Sequence, residues 1–223
     1  MFLVTGLSNA QIMPFKPSLQ VLVKGSYSTP LSHQDFKDFT SGFPGVQLEL
    51  AYDINSCWGI YGNFSADFVT AKDAATPPQG VTNYKRAAST QLSGYVGPRY
   101  YFNLPSSPLW KIYADAGIGL YSLKPGDETA TSVTLPTVNY TATTSSFSQM
   151  GANLGAGANV VVGSRMVLTF GAKYHFLFKK TGATVTSTLS DGTTTQTSED
   201  PNFTVAERSY LQFAAGIGFR LGM

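Results

Sequence analysis

Apolar residues recur at every second position through eight separate stretches of this chain, near 18–28, 45–54, 58–69, 91–102, 109–122, 147–162, 166–177 and 209–221. In the second stretch Val46, Leu48, Leu50, Tyr52 and Ile54 alternate with Gln47, Glu49, Ala51 and Asp53. Period 2 specifies a strand with two unlike faces. Each stretch runs for roughly 10–12 residues, whereas a strand of a soluble protein has about 5–6 and a tilted strand crossing a bilayer needs about 9–11. Pro98 interrupts one of the eight, and a bulge is expected to absorb it.

The connections alternate in length. Those at 55–57, 103–108 and 163–165 are short, and those at 29–43, 70–90, 123–146 and 178–208 are long and rich in Thr, Ser, Ala and Pro. Short turns at one end and long loops at the other describe an all-β, eight-stranded antiparallel up-and-down transmembrane β-barrel with its loops outside the cell and its termini on the periplasmic side. The alternative is a soluble barrel around an apolar cavity, which needs a charged exterior. Only 13% of the residues are charged while 43% are hydrophobic, about half the usual charged share. The polar face is thin, made of Gly, Tyr, Asn, Gln and a few charges, and suits a narrow filled lumen. The apolar face therefore points outward, with Tyr52, Trp58, Tyr100, Phe102, Trp110 and Phe219 placed for aromatic girdles.

The formal net charge of +2 comes without any dense Lys/Arg run, so nucleic acid is not an expected partner. The lone Cys57 excludes an intrachain disulfide or a cysteine metal site. No apolar run is long enough for a transmembrane helix. Residues 1–11, with Phe2 to Leu7 apolar and Ser8-Asn9-Ala10 before Gln11, read as a signal-peptide remnant or a mobile N-terminus. Residues 12–223 read as a single barrel domain.

The segments GYVGPRYYF (94–102), IYADAGIGLY (112–121), GANLGAGANVVV (151–162), LTFGAKYHF (168–176) and FAAGIGFRL (213–221) together resemble the small outer-membrane β-barrels grouped with outer membrane protein A and the neisserial opacity proteins. The resemblance runs from about residue 18 to 221 and implies a bacterial outer-membrane location. It also implies insertion by the barrel-assembly machinery, whose glycine-x-x-hydrophobic-x-hydrophobic signal is matched by Gly216, Phe219 and Leu221. Ala214 stands where that pattern has a polar residue, and the sequence ends Leu221-Gly222-Met223. The sequence stops where the barrel is expected to close, so the wall-anchoring role of larger relatives is not carried over.

Nine charges fall on the inward face: Lys24, Glu49, Asp53, Asp67, Arg99, Lys111, Asp115, Lys173 and Arg220. Four acids and five bases nearly balance, and buried charges need partners. The expectation is an ion-pair network that fills the lumen, with Lys24–Glu49 and Arg99–Asp115 at matching heights and Tyr61, Tyr95, Tyr113 and Tyr121 adding bulk. The same charges allow a second reading, a narrow porin-like channel with a gated ion path. An outer-membrane lipid-modifying enzyme stands third, because its Ser–His chemistry has only His33 and His175 to draw on and no nucleophile motif accompanies either. SHQDFKD (32–38) is a weak metal hint in a solvated loop. No catalytic, cofactor or metal site is expected. Asp191-Gly192 signals a two-residue hairpin turn, so the fourth loop should project as a ribbon, and the third should do likewise about Leu135-Pro136. Such ribbons offer edges to another protein. The chain is thus expected to be a monomer in outer-membrane lipid with a largely closed lumen, serving a structural or adhesin-like role toward extracellular protein or host ligands.

Overall fold

In the computed structural model, which describes residues 17–32, 40, 42–70, 80–102, 109–136, 138–163 and 165–222, alternation of residue type becomes alternation of exposure. Along one strand Val46, Leu48 and Leu50 stand exposed while Gln47 and Glu49 are buried. Eight strands close into an antiparallel barrel: β1 (Ser18–Pro30), β2 (Phe43–Asp53), β3 (Trp58–Val69), β5 (Ser89–Phe102), β6 (Trp110–Lys124), β9 (Phe147–Val162), β10 (Met166–Leu177) and β13 (Arg208–Gly222), ordered β1-β13-β10-β9-β6-β5-β3-β2 around the ring. The first and last strands pair from Ser18↔Gly222 to Pro30↔Tyr210, and β1 also pairs with β2. Closure leaves no open edge, which is what allows strands to sit in hydrocarbon.

The exposed wall is apolar: Phe64, Leu154, Phe170 and Phe213 all face out. The neighbouring positions 63, 153 and 212 hold buried Asn and Gln side chains. Trp58 and Tyr100 form an edge-on pair with ring centroids 5.0 Å apart, at the short-turn end. Inside, tyrosines fill the lumen and glycines make room for them. A Cβ at Gly157 would collide with the Tyr113 ring, and one at Gly151 with the Tyr121 ring.

The short turns are locally determined. The Asn55 carboxamide oxygen accepts from the Cys57 and Trp58 amides at 2.9 and 2.8 Å. Gly163 takes φ +67° between β9 and β10, a conformation that favours glycine. The 103–108 turn, the 1–11 segment and His33 lie outside the described residues. Pro98 needs no bulge: β5 and β6 keep one register from Val96↔Ile118 to Arg99↔Asp115, and only the pairing at positions 97 and 98 is missing. Proline's side chain points outward there and the two strands simply drop a rung.

Beyond the barrel, five further strands form a second sheet: β4 (Val81–Arg86), β7 (Glu128–Ser132), β8 (Asn139–Thr144), β11 (Lys180–Ser190) and β12 (Thr195–Val205), in the order β12-β11-β8-β7-β4. The third and fourth long connections do form ribbons, β7–β8 and β11–β12. What sequence reasoning missed is that the ribbons pair with each other, β8 to β11 from Ser187↔Thr144 to Ser190↔Thr141, and that part of the second long connection joins them as β4. The Asp191-Gly192 turn is also not a two-residue one. The strands end at Ser190 and resume at Thr195, and the Asp191 amide donates to the Thr194 carbonyl at 3.2 Å. The Asp191 carboxylate takes hydrogen bonds from the Thr193 and Thr194 amides and hydroxyls, which widens the loop to four residues. These donors hold that carboxyl well below the usual carboxylate range.

Candidate functional site: a charged belt beneath an extramembrane sheet

Five of the nine inward charges form one alternating chain across the lumen. Lys24 on β1 meets Glu49 on β2 at 2.5 Å, and Glu49 accepts from Arg99 on β5 at 2.8 Å. Arg99 donates to Asp115 on β6 at 2.8 Å, and Asp115 lies 3.2 Å from Lys173 on β10. Arg99 must reach across β3 to find Glu49. Its guanidinium does so between two aromatic faces, 4.8 Å from the Tyr61 ring centroid and 4.0 Å from that of Tyr113. Lys173 sits 4.1 Å above Tyr61. Carboxylates and cations thus alternate through a region where an unpaired charge costs several kcal/mol, and the tyrosine faces add cation–π attraction.

A second cluster lies toward the short turns. Asp53 accepts from Ser18 and Gln20 and pairs with Lys111 at 3.3 Å and more distantly with Arg220 at 3.9 Å. Asp67 departs from the expected ion-pair network. It accepts from Ser65, Ser26 and Gln212, and no cation is within ion-pair distance of it among the described residues. The cause is what surrounds it: Ser26 on β1 and Gln212 on β13 bond to it, and Gln91 is its partner across on β5, all neutral.

Above Asp67, a group sequence reasoning had noted only in part closes the lumen toward the long connections. His175 is fully buried and stacks on Tyr210 with centroids 4.5 Å apart. It is bonded through Nδ1 to the Tyr121 hydroxyl at 2.9 Å and through Nε2 to the Gln212 carboxamide oxygen at 3.2 Å. Both ring nitrogens are thus engaged in packing the barrel. Tyr210 receives a further bond from Gln91 at 3.0 Å. Among the described residues no cluster of His, Cys, Asp and Glu has a metal-holding arrangement. In the last strand Gly216 lies against the Lys24 backbone, while Phe219 and Leu221 face out.

The extramembrane sheet carries threonine on one face. Cross-strand pairing puts Thr129 beside Thr141, Thr141 beside Ser190, Thr143 beside Thr188, and Thr188 beside Thr197. The Thr188 and Thr197 hydroxyls lie 3.4 Å apart.

A closed ring of long strands with an apolar exterior, a salt-bridged interior and long connections at one end defines an eight-stranded barrel of the bacterial outer membrane. The chain belongs to the outer membrane protein beta-barrel domain family, whose model matches residues 2–207. Among solved structures it is similar to a major outer membrane protein from Thermus thermophilus, at 13% identity and a TM-score of 0.62, covering 92% of this chain and 99% of that one. It is also similar to neisserial surface protein A, at 11% identity and a TM-score of 0.51, covering 91% and 96%. A search of curated proteins finds no match.

Proposed function

We propose that this protein is a closed, non-enzymatic surface barrel that displays a rigid sheet to extracellular partners in an adhesin-like role. The observation that carries the reading is the fusion of three long connections into one five-stranded sheet. A display surface benefits from such order, because a rigid element gives up less conformational freedom on binding. Its Thr-lined face stays hydrophilic, and its outermost strands β12 and β4 offer edges for strand addition. Pro201 on β12 and the left-handed Asn83 on β4, at φ 51°, interrupt both edges and limit indiscriminate pairing. The protein works as a monomer in outer-membrane lipid, inserted through β13 by the barrel-assembly machinery. His175 serves packing and not catalysis.

The runner-up is a narrow channel. What favours it is the alternating belt itself, since a chain of charges with exchangeable partners is able to rearrange. Planar-bilayer recording of the refolded protein separates the two. Negligible steady conductance is the expected result, because side chains fill an eight-stranded lumen. A stable open state of porin size overturns the closed reading.

A further inference from the structure

The lumen is not filled evenly. Beside the belt lies a small void bordered by Lys24, Gln47, Tyr113, Lys173, Gln212 and Ala214. It offers about 20 Å³ to the centre of a water-sized sphere, and about 10–15 Å³ suffices for one water. It therefore takes one small solute and nothing larger. Its cause is local. β10 meets β13 there as Gly171↔Ala214, two positions with little or no side chain. Glycine is required at 171, because a Cβ would press on the Ala156 carbonyl oxygen at 2.8 Å. Ala214 stands where the assembly pattern has a polar residue, so a polar side chain is missing from the wall of the void.

What borders the void selects its occupant. Lys24 and Lys173 each bring an ammonium with three donors. Lys24 gives one of them to Glu49, and Lys173 turns toward Asp115. Gln47 is buried. Its Oε1 accepts from Asn63 at 3.2 Å, and its Nε2 has no hydrogen-bond partner among the described residues. Gln212 has both ends of its carboxamide engaged, by Asp67 and by His175. Among the described residues no Asp or Glu borders the void. The belt also fails to balance. Lys24, Arg99 and Lys173 are three cations against the two carboxylates of Glu49 and Asp115, an excess of one positive charge. The other inward acids are committed elsewhere, Asp53 to Lys111 and Arg220 and Asp67 to neutral donors. An uncompensated buried charge costs several kcal/mol, and hydrogen bonds from cations to an anion are of the strong kind. We infer that the lumen holds one monovalent anion of halide size, bound by the Lys24 and Lys173 ammonium groups and the Gln47 carboxamide nitrogen. It is a structural ion that neutralises the belt.

The test follows reversible urea unfolding of the full chain in lipid vesicles, in sodium chloride or in sodium gluconate at equal ionic strength. Gluconate is too large for the void. An ion held only by the folded barrel shifts the equilibrium by mass action, so above the dissociation constant a tenfold rise in chloride should raise the folding constant about tenfold. Gluconate should not do so. Lys173→Met removes the excess charge and leaves Asp115 paired with Arg99, so that variant should fold and lose the response to chloride. Ala214→Leu fills the void and should lose it too. Heat-modifiable mobility on gels reads whether each variant is folded. Lys124→Gln, at an exposed position outside the lumen, should respond to chloride as the unaltered protein does. Crystals grown in sodium bromide should show one anomalous peak between the Lys24 and Lys173 Nζ atoms. Equal stability in chloride and gluconate overturns the proposal and leaves water as the occupant. A chloride response that survives in folded Lys173→Met, or a bromide map with no peak at that place, overturns it as well.

Discussion

Glu49 carries two cations at once, Lys24 through one oxygen and Arg99 through the other. Replacing it with Gln leaves three belt cations facing the single carboxylate of Asp115. Glu49→Gln is expected to cost about 3–5 kcal/mol of unfolding free energy, the usual penalty for stranding a buried charge. Asp67→Asn should cost much less, because its partners are hydroxyls and an amide that an Asn side chain also satisfies. Reversible urea unfolding in lipid vesicles measures both, and equal losses at the two sites contradict the division between a charged belt and a neutral layer. The belt was partly legible beforehand. Lys24–Glu49 and Arg99–Asp115 lie on hydrogen-bonded neighbours, where alternation and strand length fix which side chains face each other. The Glu49–Arg99 contact was not legible, because it reaches across β3, and strand stagger is unreadable without the closed ring. The same ignorance of stagger placed Asp67 among the ion pairs.

At the scale of elements, the barrel strands and the sheet strands were unequally readable. In a membrane strand one face meets lipid and the other a packed lumen, so the pattern is strict and its ends agree with the observed spans to within a residue or two. Outside the membrane both faces of a ribbon meet water, and Thr, Ser and Ala serve either side. Ribbons could be anticipated from Thr and Val content, but partner choice could not, and Val81–Arg86 carries too little signal in six residues to be seen as a strand. The division has an experimental counterpart. Replacing 126–146 by a short turn removes the β7–β8 hairpin, the middle of the sheet, yet touches no barrel rung beyond Phe147. The shortened protein should still refold into a heat-modifiable barrel, while amide exchange along β11 and β4 accelerates. Failure to refold would mean that the sheet is needed to form the barrel.

For the whole molecule, the inside-out arrangement is the property on which everything else depends, and adjacent residues test it most sharply. Leu154 is 64% exposed and Asn153 only 2%, although they are neighbours in sequence. Spin labels at Leu154 and Phe170 in reconstituted protein should be relaxed by oxygen dissolved in lipid and shielded from water-soluble nickel chelates. Reversal of that preference would turn the barrel's faces around. An Arg at Leu154 should cost roughly 2–4 kcal/mol if the site lies near the midplane, as for other lipid-facing barrel positions. The composition already pointed this way: a chain with so little charge cannot dress its outside for water, and along the barrel strands the structure turns charged side chains such as Glu49, Asp67, Arg99 and Asp115 into the lumen.

Surface loops of barrels ordinarily diverge one at a time, since each is tied only to its own two strands. Here β4 is bonded to β7, β7 to β8, β8 to β11 and β11 to β12, so three loops share a single ladder. A residue gained or lost in one shifts the register of its neighbours and turns their side chains to the opposite face. The lineage of this protein is thereby held to substitution in place of insertion across this sheet, and changes of length there should arrive in matched pairs. An immune system or a phage reading the exterior would meet a surface whose letters change while its spacing does not.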